Sequence, residues 1–121
     1  MKIHYYLAND ELIVEDTDNN DVKWKGKPDG IAVNTLLEIP NLDDCVVLLN
    51  YWERGNRFQN LLRVTSAGAI VWRARLPSDV GVDAYVRVKW QSGQLLAWSW
   101  SGFMSTIDLS TGNIISQEFT K

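Results

Sequence analysis

The stretch RVTSAGAIVW, residues 63 to 72, reads as an apolar strand, a turn of small residues ending in Gly68, and a second strand closing on Trp72. The same layout returns at residues 107 to 116 as IDLSTGNIIS, with Gly112 standing 44 positions after Gly68. A third copy, VEDTDNNDVKW at residues 14 to 24, closes on Trp24, so the units end 48 and 44 residues apart. Upstream of the last two lies another echo, VVLLNYW at 46 to 52 against QLLAWSW at 94 to 100; the loop ERGNRFQN that follows the first accounts for the longer spacing. A period near 45 residues with four strands per unit is the pattern of propeller blades, each a twisted sheet packed by its face on the next.

The rest of the chain agrees with an all-β reading. Val, Ile, Thr, Tyr and Trp recur in short runs with almost no helical period, which predicts strands near 2–7, 11–16, 22–26, 31–38, 44–52, 58–65, 69–76, 83–91, 94–100, 103–109 and 113–119. The separators, among them AND, TDNND, KPDG, ERGN, SAG, QSG and STG, are residues that tolerate positive φ or cap tight reversals. Short connections make sequential strands antiparallel neighbours and exclude the long crossovers of a parallel sheet. The expectation is one domain over residues 1–121, an antiparallel meander of about 10–11 strands in units near 1–27, 28–77 and 78–121.

IDLSTGN followed by an apolar strand, with Trp72 closing the sister unit, resembles the blade motif of quinoprotein-like (pyrroloquinoline-quinone type) β-propeller repeats. Asp108, Thr111 and Gly112 keep the motif in one unit, which has Ser116 where the family has Trp; the other unit keeps Trp72 but carries Val64 and Ala67 at the Asp and Thr positions. These are structural positions, so the resemblance implies a fold and no quinone site.

A closed propeller takes about 4 to 8 blades, because every blade face is covered by a neighbour. This chain supplies about two and a half, an open arc whose end faces need polar caps, a second copy or another protein. Trp24 and Trp72 occupy the closing position and are expected between blades. Trp90, Trp98 and Trp100 flank the QSG turn, with Trp98 and Trp100 of equal parity and therefore on one face, as core or as platform.

Charge narrows the partner classes. Net charge is −3, but residues 1–50 carry ten acidic and four basic side chains against five and eight in residues 51–121. An acidic first half suits a basic partner and disfavours phosphate backbones and anionic lipid. Arg54, Arg57, Arg63, Arg73, Arg75 and Arg87 make the second half basic, yet the overall balance weighs against nucleic acid. Cys45 is the only cysteine, no apolar stretch matches a secretory signal or a membrane span, and the expected location is cytoplasmic.

Few residues point to catalytic or metal chemistry. Asp16, Asp18 and Asn20 begin like a calcium loop, but the turn position that needs Gly holds Asp21 and the position that needs Glu holds Lys27. One histidine, His4, and one thiol cannot build a zinc site. Adjacent carboxylates such as Asp43 and Asp44 point apart on a strand, so an acid/base pair would have to come from distant strands. With no enzyme, metal or cofactor implied, the expectation is a non-enzymatic binder of another protein. Its form looks like the immunity proteins that occlude toxic nucleases of contact-dependent systems. Asp10, Glu11, Asp16, Asp18, Asp21, Asp43, Asp44, Tyr51 and Trp52 are its expected contact residues. Self-assembly into a ring, or carbohydrate stacking on Trp52, Trp98 or Trp100, stand as alternatives.

Overall fold

The computed structural model of the protein describes residues 2–51 and 57–120. Eleven strands are formed among the described residues, in three antiparallel sheets. Sheet 1 is β1 (Ile3–Ala8), β2 (Glu11–Asp16) and β3 (Asp21–Gly26), in that order. Sheet 2 is β4 (Val33–Glu38), β5 (Cys45–Leu49), β6 (Leu61–Val64) and β7 (Ile70–Arg73). Sheet 3 is β8 (Tyr85–Gln91), β9 (Gln94–Ser99), β10 (Phe103–Ile107) and β11 (Ile114–Phe119). Within each sheet the strands pair in sequence order, and β1 and β11 lie in different sheets, so the sheets form an open arc of propeller-type blades and no closed barrel.

Sheet 2 is the middle layer, and its sequence shows why. In β5 all five residues are buried, because alternate side chains enter two different cores. Cys45, Val47 and Leu49 join Tyr5, Leu12 and Val14 of sheet 1, whereas Val46 and Leu48 join Tyr85, Val88, Leu95 and Ala97 of sheet 3. An apolar face on both sides makes β5 a continuous hydrophobic run where β9 of sheet 3 alternates.

The closing tryptophans lock one blade to the next. Trp24 of β3 lies over Gly68 of the β6–β7 turn, and Trp72 of β7 lies over Gly112 of the β10–β11 turn. A Cβ added at Gly68 would sit 2.2 Å from the Trp24 ring, and one at Gly112 2.8 Å from the Trp72 ring; both glycines also have left-handed φ, +80° and +78°. Trp72 in addition donates its Nε1–H to the Leu109 carbonyl at 2.8 Å, a bond Arg63 Nη1 shares at 2.9 Å. The joint is absent at both outer positions. Ser116 stands where a third tryptophan would project, and Asn20, at φ 56°, stands where a glycine would receive one.

Several expected strands are shorter than the apolar pattern suggests, the one over 69–76 being Ile70–Arg73, and two of them are cut short at the same place. The strand expected over 44–52 is Cys45–Leu49, and the one expected over 58–65 begins at Leu61. The reason is Asn60, fully buried, whose amide donates to the carbonyls of Leu49 at 2.9 Å and Tyr85 at 2.7 Å and accepts the Tyr85 N–H at 2.8 Å. This side chain replaces ladder bonds and ties sheet 2 to sheet 3 with every polar atom satisfied. Asp83 works beside it: its carboxylate accepts from the Ala84 N–H and from the N–H and hydroxyl of Ser101.

Candidate partner-binding site

In a meander successive turns alternate between the two edges of a sheet, and this sorts the acidic residues into two groups. The turns β2–β3 and β4–β5 share one edge, since the Tyr5 hydroxyl of β1 donates to the Asp43 carbonyl at 2.6 Å and the Thr17 N–H to the Lys2 carbonyl at 2.9 Å. Asp18, Asp21, Asp43 and Asp44 therefore lie along this first edge. The β1–β2 turn is on the opposite edge, where the Asp10 carbonyl accepts the Val33 N–H at 2.8 Å. Asp10, Glu11 and the half-buried Tyr51 belong there, and Trp52 lies outside the described residues. The expected contact set is thus not one patch.

Two of its members are committed to the fold. Asp16 is 1% exposed; it accepts the Asp18 N–H at 3.0 Å and the Asn19 amide at 2.9 Å. The Asn19 amide holds its carboxyl below the usual range. Asp16 is the counterpart of Asp108, which caps its own turn by accepting the Ser110 N–H at 2.8 Å; in the middle unit the Thr65 hydroxyl takes over, accepting from Ala67 and Ala69. Asp16 is a turn cap and not part of an outward acidic surface. Asp44 accepts the Arg63 Nε–H at 2.8 Å with both side chains mostly covered, so its charge is matched inside the arc.

What the first edge does build is a groove of about 590 Å³ between sheets 1 and 2. Ile3, Ile39, Pro40 and Leu42 form its apolar walls, and Tyr5, Glu38, Asp43 and Asp44 its polar lining. Glu38 was not singled out by the sequence; it ends β4 only five residues before Asp43, and the short β4–β5 loop folds the two carboxylates into the same groove. Its Oε1 accepts the Tyr5 N–H at 3.2 Å and lies 3.8 Å from His4 Nδ1. The groove is electronegative: the Tyr5 hydroxyl is pushed up first by burial and then by Cys45, Asp44, Asp43 and Glu38. Burial, with Asp44 and Glu38, pushes the Cys45 thiol up to about 12, consistent with its place in the core between sheets 1 and 2. Such a groove can accept a cationic side chain whose stem lies along the apolar walls.

The opposite edge carries a cleft of about 530 Å³ lined by Asp29, Arg57, Phe58, Gln59, Arg73, Arg75, Leu76 and Asp79. Arg73 grips Asp29 in a two-pronged pair at 2.6 and 2.9 Å, which raises the guanidinium further above its ordinary value. Three arginines of the second half, Arg57, Arg73 and Arg75, thus meet in this cleft, and the others lie elsewhere. Arg63 turns inward to Asp44, Arg87 lies 4.3 Å over the Trp98 ring, and Arg54 is outside the described residues. No group of three or more His, Cys, Asp or Glu among the described residues is placed to hold a metal ion.

The tryptophans of sheet 3 part company. Trp90 packs against the core shared with sheet 2, while Trp98 and Trp100 point away from it. Trp98 is partly covered, with Arg87 over one face of its ring, and Trp100 is 48% exposed just past the end of β9.

The chain belongs to the family described as "Domain of unknown function (DUF7957)", whose model matches residues 10–119. No curated protein matches it. Among solved structures it is similar to BamB from Moraxella catarrhalis, a propeller of the pyrroloquinoline-quinone type, with a TM-score of 0.56 and 17% identity over 97% of this chain and 33% of that one. It is also similar to the computationally designed Ika8 protein, with a TM-score of 0.56 and 9% identity over 97% of this chain and 36% of that one. The chain spans about a third of the length of these structures, and at such identities the likeness is one of fold. No helix among the described residues is long and apolar enough to cross a membrane.

Proposed function

We propose that this chain is a non-enzymatic protein-binding module that takes a basic partner on its first edge, in the manner of an immunity protein occluding the substrate cleft of a toxic nuclease. The observation that supports this reading is the groove between sheets 1 and 2, where Glu38 and Asp43 stand exposed above apolar walls. Asp18 and Asp21 extend the same acidic edge outward from the β2–β3 turn. Nuclease clefts are basic because they hold phosphate, so an acidic edge steers encounter with them and discriminates against neutral surfaces. The role implies action in the cytoplasm, where such a toxin would meet its target.

The test is association with a basic toxin domain encoded beside this chain's gene, followed at several ionic strengths. The association rate is expected to fall steeply with salt, and the combined Glu38→Gln and Asp43→Asn variant to bind about tenfold more weakly or worse. Binding that ignores both salt and this variant would remove the electrostatic reading, and absence of binding would remove the immunity role.

A further inference from the structure

The outward face of sheet 3 carries a pattern separate from the acidic groove. Register places Arg87 beside Trp98, Trp98 beside Met104 and Met104 beside Glu118, so one row crosses the sheet from β8 to β11 as cation, aromatic, apolar, anion. The next row is Lys89, Leu96, Thr106 and Ser116. Both rows point away from the core, since their chain neighbours Val88, Leu95, Ala97 and Ile107 form it.

We infer that this face pairs with the same face of a second copy, about a twofold axis that lies in the interface along the strands between β9 and β10. That axis reverses the row, bringing Arg87 of one copy opposite Glu118 of the other and Trp98 opposite Met104. Lys89 then meets Ser116, so no like charges are opposed. An in-plane axis across the strands keeps the row's order and sets Arg87 against Arg87, which is repulsive. Self-complementarity of this kind is what a twofold interface requires. Head-to-tail extension of the arc is not favoured, because the Trp-on-Gly joint lacks its tryptophan at Ser116 and its glycine at Asn20. Sheets packed face to face lie about 10 Å apart. Four strands give a patch about 20 Å on a side, or roughly 800 Å² over both copies, below the size of standard specific interfaces, so a weak, transient association with a dissociation constant on the order of tens of micromolar is expected.

Sedimentation equilibrium of the whole chain from about 5 to about 200 µM spans the range in which such a constant shows itself. A reversible dimer is expected, weakened about tenfold or more by Arg87→Glu or Glu118→Arg alone and restored when both are combined. These positions are exposed, so the variants keep the fold, which circular dichroism verifies. A wild-type chain that stays monomeric throughout, an association that the single variants leave intact, an open-ended series of larger species, or a double variant as weak as the singles would each overturn the inference.

Discussion

The two ends of the arc are finished differently. On the outward face of sheet 1, Ile13 is 7% exposed under a polar cover: Tyr6 and Lys25 flank it in register. His4 stacks on Tyr6 at 5.5 Å, the Tyr6 hydroxyl donates to Glu15 at 3.4 Å, and Lys25 stands 4.0 Å from Glu11. Sheet 3 ends instead in Leu96, Trp98 and Met104, only partly covered, between Arg87 and Glu118. Repeat arrays stop where a terminal unit exchanges its apolar outer face for a polar one. By that criterion the arc is capped at sheet 1 and left available at sheet 3.

The largest effect belongs to the joints between the ends. Trp72→Ala removes the ring over Gly112 and leaves the Leu109 carbonyl one donor short, so urea unfolding is expected to show a loss of about 3–5 kcal/mol. Next comes the direct contrast of the ends. Ile13→Asp buries a charge beneath the cap and is expected to cost about 3 kcal/mol, whereas Leu96→Asp on the available face costs about 1 kcal/mol or less in the dilute monomer. Equal losses at the two positions would break the comparison.

A smaller effect is read through pH. The Asp16 carboxyl is held below its ordinary value of 3.8 by the Asn19 amide, so its contribution is complete above that value and is lost as pH falls through the lowered one. Asp16→Asn is expected to flatten the acid limb of a stability profile while leaving binding at neutral pH unchanged. Ser116→Trp is expected to change stability least, within about 0.5 kcal/mol, because a tryptophan there has no turn glycine to rest on. A marked gain in the stability of the dilute monomer would show that the joint forms without its glycine.

Much of the fold is legible in the chain because period-2 apolar runs and turn residues act locally. The positions of Trp24 and Trp72, and the equivalence of Gly68 and Gly112, point to the joints before any contact is known. The candidate site is less legible. Alternation of turns between edges separates Asp10 from Asp18, and the match of Asp16 to Asp108 marks it as a cap, so both signals are present in the repeat itself. The pairing of Arg87 with Trp98 depends on strand register, which a β-bulge between Tyr85 and Arg87 shifts by one residue, and that of Asp44 with Arg63 depends on a side chain just ahead of β5 reaching across to β6. Glu38 entered the groove through a loop path that apolar pattern does not encode.

Hydroxyl-radical footprinting at increasing protein concentration tests the unequal ends most directly. Labelling of Trp98 and Met104 is expected to fall as concentration rises while that of His4 and Tyr6 stays constant. Protection of both ends together, or of neither, would contradict the account.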